Sequence, residues 1–304
     1  MPKLDSDIRQ RRSGKTHVLD ADELARLQDA ARGNARTGLL LSAFGVLVAV
    51  CALVSFCIGR YAVSIPDVLA SFGALFEHIA SSQSLEFSDP VTSVVINVRL
   101  PRVVAALLVG AALAVAGASY QGVFRNPMVS SDILGASAGA GFGASMAILA
   151  GAPGVVVQLA AFACGLGAVA VTCAIGSVVG RNDTSTLALV LAGIVVQSLF
   201  QAFVGIAKYV ADPYSQLPEI TYWLMGSLAT VSFEDIALML VPLVVGCVVL
   251  MALKWRINVL SFGDEEAAAL GVDTRRLRLA VIVCATLVTG SAVSVAGQVG
   301  WIGL

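Results

Sequence analysis

The residues that most often perform chemistry in proteins are few in this sequence and stand apart from one another. All six cysteines lie inside apolar stretches and no two have C-x-x-C spacing, so we expect them to act as small apolar side chains. Neither His17 nor His78 stands in a metal-ligand pattern. The sequence therefore predicts no metal site, no cofactor and no catalytic residue.

A short segment near the amino terminus has the composition of a nucleotide-binding loop. Ser13-Gly-Lys-Thr16 resembles the end of a phosphate-binding loop, in which backbone amides and a lysine hold nucleotide phosphates. The first glycine of that pattern would fall at position 9, which is Arg9, and no apolar strand precedes it. We therefore expect neither nucleotide binding nor ATP hydrolysis from this chain.

One set of polar residues could line a pathway. Gly193, Gln197 and Gln201 follow one another every four residues, so they share one face of a helix. They form the one markedly polar stripe in the apolar stretches, and we expect it to line a translocation pathway. Hydrogen bonding between helices is an equally open alternative.

The composition predicts that the apolar stretches, which carry the cysteines and the polar stripe, are membrane-spanning helices. Of the 304 residues, 58% are hydrophobic and 13% are charged, about half the roughly 25% charge of an average soluble domain. A soluble protein could not cover its surface with so few charges, and the mean hydropathy of +0.87 agrees. The sequence predicts an all-α, polytopic membrane helix bundle.

Seven spans are predicted from stretches that contain no Asp, Glu, Lys or Arg, since a helix needs roughly 20 apolar residues to cross the hydrocarbon. Residues 133–180 are long enough for two spans and are interrupted by the turn signal Gly151-Ala-Pro-Gly154. The other five stretches are 37–59, 103–124, 184–207, 236–253 and 279–304. No predicted span has an ionisable residue in its interior, which argues against proton coupling.

The charges divide the chain into two parts and orient it. Residues 1–38 contain eight basic and six acidic residues, which predicts a polar cytoplasmic extension before a transmembrane domain at 39–304. With the amino terminus inside, 15 basic residues fall on the cytoplasmic side and four on the outer side. Because Lys and Arg are retained inside, we expect a cytoplasmic amino terminus.

Two helices are predicted outside the spans. Residues 64–79 begin with Ser64-Ile-Pro-Asp67 and have apolar residues at helical spacing, which indicates a helix lying on the outer surface. On the cytoplasmic side, residues 261–271 combine acidic residues in a first turn, several alanines and a final glycine. This composition predicts a short helix with a defined end.

Several longer motifs resemble those of one transporter family. The sequence contains, in order, Val98-Arg-Leu-Pro-Arg102, Gly117-Ala-Ser-Tyr-Gln-Gly-Val-Phe-Arg-Asn-Pro127, Leu134-Gly-Ala-Ser-Ala-Gly139, Gly263-Asp-Glu-Glu-Ala-Ala-Ala-Leu-Gly-Val272 and Ala296-Gly-Gln-Val-Gly-Trp-Ile-Gly-Leu304. These runs resemble FecCD-type permease subunits of ABC importers for iron-siderophore, haem or cobalamin. The resemblance extends from about residue 40 to the last residue.

The resemblance implies partners and an energy source. Such permeases form homodimers in the bacterial inner membrane, bind a separate ATP-binding subunit on the cytoplasmic face, and receive substrate from an extracytoplasmic binding protein. We therefore expect a multi-pass inner-membrane protein that contacts lipid and no nucleic acid. It would not be an enzyme itself, and it would import an iron chelate (siderophore) or a related metal-tetrapyrrole.

The resemblance also implies roles for particular residues. Arg99 and Arg102 correspond to arginines that pair with acidic residues of the binding protein, with interfacial anchoring as the alternative. The loop before the fifth span corresponds to the cytoplasmic gate, at Thr184, Ser185 and Thr186. The segment that couples the permease to the ATPase, for which a plain connector is the alternative, corresponds to Gly263, Asp264, Glu265, Glu266, Ala267, Leu270 and Gly271.

The sequence departs from the family pattern in its number of spans, and two other function classes are alternatives to a permease. Family members usually have ten spans, so the resemblance implies three spans beyond the seven predicted, and a transmembrane domain that is incomplete at its carboxy-terminal end relative to the family. From the residues alone, an ion-coupled secondary carrier and a non-transporting membrane scaffold are the alternatives to a permease.

Overall fold

The structure is a computed structural model that describes the backbone of residues 21–81, 89–179 and 186–299, and side chains over 36–77, 89–179 and 187–299. The chain divides into two compact units, residues 1–62 and 63–304. Each unit is described by itself below.

In its described residues, the first unit consists chiefly of one helix, α1 (Ala21–Cys57). The segment Arg36–Cys57 is long and apolar enough to cross a membrane, with a mean hydropathy of 2.6. The helix continues through residue 38, where the sequence changes from polar to apolar. The predicted domain boundary at that position is therefore a change in composition without a break in secondary structure.

The second unit is a bundle of helices. They are α2 (Ile65–Ser81), α3 (Pro90–Phe124), α4 (Ala136–Leu149), α5 (Gly154–Val179), α6 (Thr186–Val210), α7 (Gln216–Met225), α8 (Phe233–Leu260), α9 (Asp264–Ala269) and α10 (Thr274–Ala296). The all-α class is confirmed. Over the described residues, α1, α3, α5, α6, α8 and α10 are long and apolar enough to span a membrane, whereas α4 has 14 residues and is shorter.

Helix α10 lies at the centre of this bundle. The side chains of Val281, Ala285, Val288 and Ala292 recur at helical spacing and are fully buried. They belong to one apolar cluster together with side chains of α3 and α8, and α10 also packs against α5. Burial on several sides makes α10 the helix whose displacement would disturb the most neighbours.

The predicted hairpin within residues 133–180 is confirmed. Helix α4 ends at Leu149 and α5 begins at Gly154, and between them Gly151 has φ 67°, a left-handed conformation that favours glycine. The two helices pack closely because glycine faces the partner backbone: a Cβ on Gly139 would lie 2.6 Å from the carbonyl oxygen of Cys164.

The helix that contains the second predicted span begins more than three turns before residue 103. Helix α3 begins at Pro90, where the Asp89 carboxylate accepts hydrogen bonds from the backbone N and hydroxyl of Thr92 at 2.9 and 2.7 Å. These bonds lower the pKa of Asp89. A π-helical turn at Val94–Arg99 continues directly into the α-helix. The scan for stretches without charge excluded Arg99 and Arg102 and therefore started at residue 103, whereas helix α3 contains both arginines.

The ends of two other spans also differ from the prediction. Helix α8 extends beyond 236–253 at both ends, starting with a capping box between Ser232 and Asp235, and it continues through Pro242. Helix α10 begins five residues before the predicted 279, because the Asp273 side chain accepts a hydrogen bond from the backbone N of Arg276 at 3.0 Å. It ends at Ala296, where Gly297 has φ 73°.

The two predicted non-spanning helices are present, and a third was missed. Helix α2 starts with reciprocal hydrogen bonds between Ser64 and Asp67, and α9 is 6 residues long. Helix α7 was not predicted, although Leu217, Ile220 and Leu224 recur at helical spacing. Ile220 is fully buried, so α7 belongs to the packed bundle.

Candidate functional site

An irregular segment penetrates the bundle between α3 and α4. The Leu134 carbonyl accepts a hydrogen bond from the Thr172 hydroxyl of α5 at 3.0 Å. A Cβ on Gly193 of α6 would collide with the carbonyl oxygen of Ile133. Gly193 lies seven residues, or about 10 Å, from the first residue of α6, Thr186. The non-helical backbone that contacts it therefore reaches the depth of the spans. Such backbone is tolerated there only when protein or a water-filled cavity surrounds it.

This segment carries an acidic residue that the scan for charged positions placed outside the spans. One carboxylate oxygen of Asp132 accepts a hydrogen bond from the backbone N of Ser137 at 2.7 Å, and the Asp132 carbonyl accepts one from Gly135 at 2.8 Å. Asp132 thus holds the first turn of α4. Arg99 of α3 is another charged residue outside the predicted spans, and its side chain is buried.

The predicted polar stripe on α6 has three different environments. Gly193 is buried against the irregular segment at 133–134, where its missing side chain permits close packing. Gln197 is half-buried beside Gly135, and Gln201 is exposed. An ideal helix turns by 40° beyond a full circle every four residues, which accounts for this gradual change from packed to open. Gln197 and Gln201 are the members of the stripe that a pathway could reach.

The predicted gate cannot be compared with the structure. Thr184 and Ser185 lie outside the described residues. Thr186 is the first residue of α6, but its side chain is also outside them. Their role stays a prediction.

We call the end of the bundle that carries α7 the outer end and the end that carries α9 the inner end, following the predicted topology. At the outer end, the two predicted docking arginines differ. Arg99 is 7% exposed, whereas Arg102 is partly exposed and donates from Nε to the Leu228 carbonyl at 3.3 Å and from Nη2 to the Ala229 carbonyl at 2.7 Å. Arg102 therefore fixes the loop between α7 and α8.

The same loop is fixed from the other side by α10. The backbone N of Ser227 donates to the Ala296 carbonyl at 2.8 Å. Gly226 and Gly297 approach so closely that a Cβ on either would meet the backbone of the facing segment. Beyond this contact, Gln298 donates from Nε2 to the Ser137 carbonyl at 2.9 Å. The outer end of α10 is thus bonded to the α7–α8 loop and to α4.

A cavity of about 520 Å³ opens beside this loop. Its walls come from the start of α5, from α7, from the α7–α8 loop and from the last turn of α10. The polar side chains among its lining residues are Gln158, Glu219, Tyr222, Trp223, Ser227, Thr230 and Ser294. Among the described residues, no group of three His, Cys, Asp or Glu side chains could hold a metal ion.

At the inner end, α9 is held by charge. Asp264, at the start of α9, accepts two hydrogen bonds from Nη2 of Arg278, each at 3.1 Å. Nη2 of Arg125 lies 3.7 Å from the same carboxylate. Arg125 has φ 51°, and among the described residues it alone combines a positive φ with a side chain. Three separate segments, at the end of α3 and in α9 and α10, therefore meet at one carboxylate.

The two ion pairs of Asp264 differ in strength because they differ in burial. The Arg278 side chain is 4% exposed, whereas those of Arg125 and Asp264 are both 41% exposed. An exposed pair contributes about 0–1 kcal/mol, and a charge that is enclosed by protein, as at Arg278, costs more when it loses its partner. The pair between Asp264 and Arg278 is therefore the stronger attachment of α9.

The remaining residues predicted to couple the chain to an ATPase divide into two faces. Ala267 is fully buried, and Gly263 and Gly271 have φ 136° and 80° where the chain enters and leaves α9. Glu265, Glu266 and Leu270 are exposed, with Leu270 at 63%. The structure therefore leaves one face of α9 open for a partner; its coupling role stays a prediction.

Residues 47–304 match the FecCD transport family. The chain belongs to this family. Its expected resemblance to iron-siderophore, haem and cobalamin permeases is thereby confirmed.

Individual relatives support the same assignment. The chain is 36% identical over 265 residues to the molybdate import system permease protein MolB of Haemophilus influenzae, covering 87% of this chain and 76% of that protein. It is 39% identical over 211 residues to a probable iron chelatin transport system permease protein of Helicobacter pylori, covering 69% and 63%. The corresponding values for the cobalamin import system permease protein BtuC of Halobacterium salinarum are 42% over 231 residues, with 74% and 61% covered.

A solved structure agrees with the sequence comparisons. It is described as an inward-facing conformation of a putative metal-chelate type ABC transporter, and it shares 34% identity with this family member. The match has a TM-score of 0.73 and covers 88% of this chain and 78% of that chain. Together with the apolar helices, the family confirms a multi-pass protein of the bacterial inner membrane. The relatives are permease proteins, which confirms that this chain resembles the permease and not the ATP-hydrolysing subunit.

Proposed function

We propose that this chain is the transmembrane permease subunit of an ATP-driven importer that brings an iron chelate, or a related metal-tetrapyrrole, into the cytoplasm. The observation that carries the proposal is the open face of α9 at the inner end, which an ATP-binding subunit could contact. Membership of the FecCD transport family supports it. In this proposal a second copy of the chain completes the pathway, with α6 and its residues Gln197 and Gln201 facing it.

The polarity of the α6 face that carries Gln197 and Gln201 supports the substrate class. Gln197 and Gln201 offer neutral hydrogen-bonding groups to a large hydrophilic cargo, and the stripe contains no cationic side chain that would select an oxyanion. Iron chelatin, hemin and cobalamin permeases are among the relatives. Molybdate, which the name of another relative contains, is the competing cargo.

Uptake by proteoliposomes tests this proposal. The chain would be reconstituted with its ATP-binding subunit and binding protein, sought first among the products of the neighbouring genes, and offered labelled ferric siderophore, haem, cobalamin and molybdate in turn. We expect ATP-dependent uptake of one chelate or tetrapyrrole. Uptake of molybdate alone would overturn the substrate class, and uptake that persists without the ATP-binding subunit would indicate an ion-coupled carrier.

A second measurement tests the assembly. Detergent-solubilised chain should co-purify with the ATP-binding subunit at a one-to-one ratio, with the mass of a complex that contains two copies of each. Failure to recover the ATP-binding subunit would favour the non-transporting scaffold.

A further inference from the structure

Helix α9 is attached to its neighbours through two glycine joints. Gly263 precedes it and Gly271 follows it, both in backbone conformations that other residues rarely adopt. The helix between these joints has 6 residues, and its face with Glu265, Glu266 and Leu270 is exposed. A force applied to that face would rotate α9 about its joints unless another contact ties the helix to the bundle.

The ion pair between Asp264 and Arg278 is such a contact. It crosses the second glycine joint, because Asp264 lies in α9 and Arg278 lies in the second turn of α10. Arg278 is 3% exposed, so almost no water can replace the carboxylate if the pair opens. The buried Ala267 packs in the same region. These contacts attach α9 to the inner end of α10.

Helix α10 can carry such a displacement to the outer end. It is the central helix of the bundle, and interiors packed at protein density transmit displacement and absorb little of it. Its last turn is bonded to the α7–α8 loop through Ala296 and Ser227, and Gln298 just beyond is bonded to Ser137 of α4. Contacts at both ends of α10 therefore connect α9 with the elements around the outer cavity.

We propose that the ion pair between Asp264 and Arg278 is the link that transmits movement of α9 to α10, which makes Arg278 a positioning residue for transport. The proposal rests on the proposed function, in which an ATPase moves α9. It assigns the pair a role in transmission, separate from ATPase binding, which belongs to the exposed face of α9.

The experiment compares transport with ATP hydrolysis in the reconstituted complex. The main variant is Arg278→Met, which removes the buried charge and leaves Asp264, 41% exposed, within 3.7 Å of Arg125. A second variant is Arg278→Lys, which keeps a cation beside Asp264. The matched control is Arg276→Gln, which breaks the neighbouring pair with Asp273 at 3.0 Å, where the arginine side chain is 90% exposed.

We expect Arg278→Met to bind the ATP-binding subunit and to hydrolyse ATP within twofold of wild type, but to transport at least tenfold less substrate per ATP. Arg278→Lys should lose less of that transport, and Arg276→Gln should behave as wild type. Normal transport per ATP in Arg278→Met would overturn the proposal. Loss of ATPase binding would also overturn it, because the pair would then belong to the docking surface.

Folding and the proposed function are checked in the same preparations. If neither Arg278→Met nor Arg278→Lys reaches a monodisperse state with a melting transition, the pair serves stability and the proposal is overturned. A wild-type complex that shows no ATP-dependent uptake would instead refute the proposed function, and that result is distinguishable because it precedes any comparison between variants.

Discussion

The hydroxyl groups of Tyr120 and Thr286 lie 2.9 Å apart in the buried contact between α3 and α10. Thr286 donates to the Ile282 carbonyl of its own helix at 2.7 Å, which leaves its oxygen to accept from Tyr120. Tyr120 is fully buried and Thr286 is 2% exposed, so water cannot replace either partner. The pair fixes the register between the central helix and α3.

A double-mutant cycle on this pair should reveal the coupling. Tyr120→Phe and Thr286→Val should each lower stability by about 0.5–1.5 kcal/mol, in line with hydrogen bonds between membrane helices. The double variant should lose less than the sum, because one hydrogen bond is counted twice. Unfolding in mixed detergent micelles measures the effect, and strictly additive losses would show that the two hydroxyl groups do not interact.

Two glycines on α6 should respond in opposite ways to alanine. A Cβ on Gly193 would collide with the Ile133 carbonyl, whereas nothing lies within 4 Å of a Cβ on Gly205. We therefore expect Gly193→Ala to cost about 1–3 kcal/mol, and the matched control Gly205→Ala to be neutral or to stabilise by up to about 1 kcal/mol. Equal melting temperatures for the two variants would contradict the packing of residues 133–134 against α6.

Much of this fold could be predicted because lipid leaves few choices. Among the described residues, stretches without charge located every span-length helix, and the hairpin before α5 followed from the turn signal Gly151-Ala-Pro-Gly154. The starts of α8 and α10 were placed too late because the scan for charge did not consider local caps at Ser232 and Asp273. The start of α3 was placed too late because charged side chains within it are stabilised by distant partners. Arg102 is bonded to carbonyls more than 120 residues away, and a scan along the sequence cannot anticipate that compensation.

The candidate site was less accessible to sequence reasoning. The composition of α9 predicted the helix, but its attachment depends on Arg125 and Arg278, which meet Asp264 only after α3 and α10 have packed. The segment before α4 was also missed, because a sequence scan does not show the tertiary hydrogen bond from Thr172 of α5 to the Leu134 carbonyl. Local patterns predict elements whose polar groups are satisfied locally, and both of these features are satisfied by tertiary contacts.

The two outer arginines should differ when their charge is reversed. Arg102→Glu should abolish most of the stimulation of ATPase activity by the binding protein, because Arg102 is the more exposed of the pair and its loss also releases the loop at Leu228. Arg99→Glu should mainly lower the melting temperature, because a carboxylate would occupy a site that is 7% exposed. The measurements are stimulated ATPase activity and thermal unfolding of each variant. Undiminished stimulation in both variants would refute docking at this site.

The last prediction concerns the open part of the α6 stripe. In a background without reactive native cysteines, cysteines placed at Gln197 and Gln201 should react with a bulky water-soluble thiol reagent, Gln201→Cys faster than Gln197→Cys, because Gln201 is exposed and Gln197 is half-buried. Labelling at either position should reduce ATP-dependent uptake at least fivefold if this face lines the pathway.

The matched control for this prediction is Val195→Cys, which lies on the opposite side of the same helix and is 65% exposed. Lipid would cover this face in the membrane, so a water-soluble reagent should neither label Val195→Cys rapidly nor block uptake. A reagent that labels Gln201→Cys fully and leaves uptake unchanged would assign the stripe to helix packing. Inhibition from all three positions alike would mean that bulk anywhere on α6 blocks transport, and that the glutamines have no special place in it.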